Sequence, residues 1–157
     1  DAALPDGLDV LAATEAEGTP LAERIDASEW RIELPGISPD ELRRAVVAVE
    51  VADAVVVERV TPSGRRQVDV RGALVGVIVS APGSTSAPDT TDCAIMTAVV
   101  RQTTPAVRPD HVLGALDVVA GLKLPAPAKA TRMAQGLLDD RGRLTDPLGP
   151  DRVTTRT

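Results

Sequence analysis

At 157 residues the chain has room for one ordinary domain with flexible ends, and 43% apolar residues are enough to build a core. Phe and Tyr are absent and Trp30 is the sole aromatic, so burial must come from Val, Leu, Ile and Ala, and a thin core of modest stability is expected. A net charge of −6 disfavours any overall attraction to nucleic acid or to an anionic membrane, and leaves such roles to a local basic patch.

Residues 1–27 are rich in Ala and Glu and are broken by Gly18-Thr19-Pro20. They read as a remnant of a preceding domain, with a short strand near Leu8–Ala12, followed by a linker. Trp30, Ile32 and Leu34 then alternate with Arg31 and Glu33, the period of a half-buried strand. Ser38-Pro39-Asp40-Glu41 predicts a helix start, with Ser38 as N-cap, Pro39 in the first turn and Glu41 closing a capping box. Leu42, Ala45, Val46 and Val49 fall on one face of that helix, which is expected to end near Ala52. Val55–Val60 and Gln67–Val70 flank the turn sequence Thr61-Pro62-Ser63-Gly64 and read as a hairpin.

Leu74–Val79 predicts a further strand, or a short helix running into one. Ser80–Asp92 is a loop by its Pro, Gly, Ser and Thr content, and Ala94–Val100 is a strand. Pro109-Asp110 opens a second helix, with Val112, Leu113, Leu116, Val119 and Ala120 on its inner face and Gly121 as its stop. Lys129–Met133 predicts a weak last strand, and 139–157 a disordered tail. The order points to an α+β domain over 28–138: a split βαβ, or ferredoxin-like, antiparallel sheet with two helices on one face. The expected core is Trp30, Ile32, Leu42, Val46, Val57, Ile95, Leu113 and Leu116.

The chemistry-bearing residues assemble no catalytic or metal site, and no cofactor is expected. His111, the lone histidine, sits in the first turn of the second predicted helix and reads as a plain surface residue, since a catalytic triad needs a nucleophile and an orienting group beside it. Cys93 cannot form an internal disulfide and reads as a buried structural thiol. Neither a Walker-type loop nor a G-x-G-x-x-G turn is present. The longest apolar stretches fall far short of the ~20 residues of a membrane span, so no membrane partner is expected and the cytoplasm is the default compartment.

One feature opposes the acidic background. Arg59, Arg65, Arg66 and Arg71 lie on or beside the predicted hairpin, with only Glu58 and Asp69 among them. The plainer interpretation is a sheet edge guarded by charge. The functional one is a ribbon that contacts RNA phosphates. Single-stranded RNA readers add aromatic stacking, and Trp30 is assigned to the core rather than to a base.

Ala3-Leu4-Pro5-Asp6-Gly7-Leu8, Trp30-Arg31-Ile32, Val57-Glu58-Arg59, Gln67-Val68-Asp69-Val70-Arg71, Arg108-Pro109-Asp110-His111-Val112-Leu113 and Arg132-Met133 occur in the order and spacing of a known family. Over roughly residues 1–138 the chain resembles the C-terminal half of the bacterial radical-SAM-associated proteins, a domain family of unknown function. The family's Tyr-Arg-Ile is Trp30-Arg31-Ile32 here, and its Val-Asp-Ile-Arg-Pro is Val68-Asp69-Val70-Arg71-Gly72. Its Ser-His-Leu-Asp and Gly-Phe-Asn-Pro-His-Pro segments have no counterpart in this sequence. The resemblance implies a non-catalytic accessory domain that serves a cobalamin-binding radical SAM partner, with transfer or ribosomal RNA as the modified substrate. The Cys-x-x-x-Cys-x-x-Cys cluster motif is absent, so radical chemistry would belong to the partner. The alternatives are an RNA-binding module built on the arginine hairpin, or a fragment of a small enzyme whose active centre lies in an N-terminal half that is not in this chain.

Overall fold

The computed structural model describes residues 4, 5, 7, 10, 13–15, 18–61, 64–82 and 93–149. A single 3-10 turn at Leu21–Arg24 leads into β1, Ala27–Pro35, whose Ile32 and Leu34 are fully buried. Helix α1, Pro39–Glu50, starts where its caps dictate. Ser38 Oγ accepts the Glu41 N–H at 3.2 Å, and Pro39 occupies the first turn, where no amide donor is needed. The buried face of α1 is Leu42, Ala45, Val46 and Val49, the four positions that the helical period selects.

Strands β2, Val56–Thr61, and β3, Gly64–Asp69, pair antiparallel as a two-stranded sheet of their own. One turn of helix, α2 (Val70–Ala73), runs directly into β4, Leu74–Ser80, so the Leu74–Val79 segment is a strand, and the helical turn precedes it and takes Val70 from the expected hairpin strand. Strand β5 is Cys93–Arg101, α3 is Pro109–Ala120, and β6 is Lys129–Gly136. The main sheet has the order β4-β5-β1-β6 with every neighbouring pair antiparallel. With the hairpin and α2 set aside, its elements run β1-α1-β4-β5-α3-β6, strands and helices in a βαββαβ sequence. The protein is thus an α+β domain.

One face of the sheet carries the core. Ile32 and Leu34 of β1, Ala94, Met96, Ala98 and Val100 of β5, and the inner faces of α1 and α3 meet in a single aliphatic cluster. The opposite face holds the Arg31–Glu33 ion pair and Thr97, in the pattern of an antiparallel sheet with one face to solvent. The hairpin does not extend the main sheet. It packs beside α3, where Gly114 lets Val57 approach: a Cβ at Gly114 would lie 3.1 Å from Val57 Cγ1.

Several expectations change. The inner face of α3 is His111, Val112, Ala115 and Leu116, whereas Val119 and Ala120 are exposed, because the helix leans its first two turns into the core. Trp30, Val57 and Leu113 pack against the core half-buried rather than within it. Cys93 is likewise half-buried, at the start of β5. Residues 137–149 are hydrogen-bonded rather than disordered from 139 onward. Thr145 N–H donates to Leu137 O at 2.8 Å, and Leu138 N–H to Asp26 Oδ1 at 2.9 Å, which ties this segment to the entrance of β1. Of the strand anticipated near Leu8–Ala12, Val10 is exposed and in no strand, and Leu8, Asp9, Leu11 and Ala12 lie outside the described residues. Most of the Ser80–Asp92 loop and residues 150–157 also lie outside them.

Candidate functional site

The last strand decides where the surface opens. Every residue of β6 except Gly136 is exposed, for α1 packs on β4 and β5, at the far side of the sheet, and α3 packs chiefly on α1 and β2. A bulge shapes this edge. Glu29 pairs with Ala134 and Trp30 with Arg132, so Met133 is an extra residue in β6. The register brings Arg132 directly opposite Trp30 on the helix-bearing face, with its guanidinium carbon 5.4 Å from the centroid of the indole, within cation–π range.

Between this pair and the start of α3 lies a cleft of about 650 Å³. Trp30 and Arg132 line one side, and Arg101, Arg108, Asp110 and Leu113 line the other. Arg108, just before α3, and Arg132, on β6, bring guanidinium groups to this side, whereas Arg101 bounds the cleft from the end of β5, where strand alternation turns its side chain toward the opposite face with Thr97. Among the described residues none of the three has a carboxylate partner, and only Asp110 brings negative charge to the cleft. On a chain of net charge −6 this is a local inversion of sign.

The start of α3 is fixed by His111, which the structure buries although the sequence suggested a surface position. It is 4% exposed, and Nδ1 accepts the Arg108 N–H at 3.1 Å, so the imidazole supplies the return arm of a capping box, the part a Glu or Gln three residues past the N-cap would play. A ring that accepts at Nδ1 carries its proton on Nε2 when neutral. That atom is buried with no hydrogen-bond partner among the described residues; Asp110 Oδ2 stands 3.8 Å away, beyond hydrogen-bond range. His111 N–H itself donates to Arg108 O at 3.0 Å. The amides of this helix end are therefore largely committed, and an anion in the cleft would meet guanidinium groups rather than the helix terminus.

The arginines singled out in the sequence divide. Arg65 and Arg66 are exposed on β3, and Arg65 Nη1 reaches Glu58 Oε1 at 3.0 Å. Arg59 is paired with Arg66 in the ladder, and its side chain lies outside the described residues. Arg71 does not belong to the hairpin. Its Nε donates to Glu50 O at 3.2 Å, which ties α2 to the C-terminus of α1. A second hollow of about 400 Å³ adjoins β3 at Gln67–Asp69 and is closed on its other side by Thr103–Pro105. The loop that bounds it continues into Ala106–Arg108, the wall of the larger cleft.

The cleft was not legible in the sequence because its residues are scattered from Trp30 to Arg132. The one available signal was the strand alternation, which puts Trp30 on the inner face, at the side of an edge strand that is too polar to be covered. Among the described residues no group of His, Cys, Asp or Glu is placed to hold a metal ion, and no helix is long and apolar enough to cross a membrane.

Fold and cleft together define an antiparallel α+β domain with a basic, aromatic-floored groove at the open edge of its sheet. The chain belongs to DUF2344, a family of uncharacterized proteins conserved in bacteria, whose family model matches residues 1–109. The matched span carries Trp30, Arg101 and Arg108 but ends before Arg132. Neither the curated proteins nor the solved structures include a match to the chain.

Proposed function

We propose that this chain is a non-catalytic accessory domain that holds single-stranded RNA in its basic cleft while a partner protein carries out the chemistry. The observation that carries this reading is the meeting of Arg108 and Arg132, which have no carboxylate partner among the described residues, beside Trp30 on an otherwise acidic molecule. Guanidinium groups hold phosphate by planar, charge-assisted hydrogen bonds, and an aromatic floor suits a flat ligand. The resemblance to the radical-SAM-associated proteins supports a radical SAM, cobalamin-binding partner in the cytoplasm and RNA modification as the shared task.

A second contact surface on the hairpin is supported by the exposure of Arg65 and Arg66 next to the 400 Å³ hollow that leads toward the cleft. Titration of a labelled RNA strand at several salt concentrations tests both readings. Each phosphate neutralised on a single strand contributes a slope of about −0.7 in log K against log salt. Replacing Arg108 and Arg132 together by Ala should flatten the slope by about 1.4 units. Replacing Arg65 and Arg66 should flatten it by about 1.4 if the hairpin takes part. Binding that does not depend on salt, or is unchanged in the variant lacking Arg108 and Arg132, would overturn the cleft as the RNA site.

A further inference from the structure

We infer that the cleft is a stacking site for one unpaired nucleobase, with Trp30 and Arg132 as its platform and Arg108 holding the adjoining phosphate. This inference rests on the RNA reading above and names what the cleft would read. The indole of Trp30 is packed against the aliphatic core yet lines the cleft, so it is held rigidly where a ligand can reach it. Arg132 lies over the ring at 5.4 Å and supplies a planar cation on which a base can also stack. The short side chains of Ala128 and Ala130 leave the volume of about 650 Å³ open, within the range of small-ligand sites.

The same geometry selects the ligand class. A base within a duplex has both faces covered by its neighbours, and a concave site against an aromatic face can accept only a base that has left the stack. Gln102 and Ser28 offer an amide and a hydroxyl at the wall, where a base edge can hydrogen-bond. The carboxylate of Asp110 at the mouth repels dense negative charge, which favours one phosphate per base over a polyphosphate. The exposed hairpin has no aromatic residue and could meet only the backbone.

The test exploits composition. Trp30 is the sole aromatic side chain, so the intrinsic fluorescence of the whole chain reports on this cleft alone. The chain is titrated with a six-nucleotide RNA, with an abasic strand of the same length, and with uridine 5′-monophosphate, while labelled-strand anisotropy measures binding independently. Stacking predicts that the RNA and the mononucleotide quench Trp30 emission, and that the abasic strand binds at least ten-fold more weakly and leaves the emission unchanged. A W30L variant, checked for folding by circular dichroism, should lose about ten-fold in RNA affinity with the salt slope intact, since stacking on one base is typically a factor of this order. RNA that binds by anisotropy without disturbing Trp30, and no better than the abasic strand, overturns the stacking site while the RNA reading stands. Failure of every strand to bind overturns the RNA reading and this inference with it.

Discussion

His111 shows how one buried side chain sets a helix start. Its Nδ1 takes the Arg108 N–H, and its Nε2 is buried without a hydrogen-bond partner among the described residues. Replacing it by Ala removes a buried ring and the acceptor of the part-buried Arg108 N–H, a change that typically costs about 1–3 kcal/mol, and a thermal melt should show it. H111A should also loosen Arg108 at the wall of the cleft, so RNA affinity is expected to fall with stability, whereas R108A should lower affinity alone. Asp139 offers a test by pH. The backbone N–H of Arg143 holds its carboxylate below the usual range, helped by the Arg141 N–H and the Arg143 side chain and opposed by partial desolvation. A folded value below the unfolded one means that its contribution is complete above about pH 3.9 and is lost as pH falls through the folded value. Amide shifts of Arg141 and Arg143 should therefore report opening of this turn below about pH 3.9, and in D139A they should lack that transition.

At the scale of elements, α1 was legible because its signals are local: a hydroxyl at Ser38, a proline in the first turn, and an apolar residue at each inward position. S38A should cost about 1 kcal/mol, a fall of about 2–4 °C in melting temperature for a chain of this size. The inner face of α3 was misjudged in its last turn because Val119 and Ala120 continue the apolar period past the point where the helix leaves the core. Strand β6 was read as weak and short, and it runs through Gly136, since pairing with β1 rather than its own propensity holds it. The hairpin was read correctly as a pair of strands. Its separation from the main sheet depends on contacts with α3, which no local pattern records.

Over the whole molecule, the closing segment 137–149 ties the two ends of the domain together. A Cβ at Gly136 would sit 1.9 Å from Thr145 O, so this glycine is required for the segment to lie down. G136A should release it, and faster hydrogen exchange at Leu138 and Thr145, with little change at Ile32, would mark a local rather than a global loss. Exchange in G136A as slow as in the parent would show that the contact can shift without consequence.

What the sequence by itself determined is what short-range physics encodes. Alternation of Trp30, Ile32 and Leu34 defines β1, caps define α1, turn residues define the hairpin, and an apolar core without Phe or Tyr is fixed by composition. The tertiary structure alone decided which strands are neighbours, that His111 is buried, that Arg71 serves the backbone of α1, and that Arg108 and Arg132 meet beside Trp30. Those outcomes depend on strand register and on which sheet edge the helices leave bare. Both are set by the sum of many weak packing energies over residues far apart in the chain, and no window of sequence contains that sum.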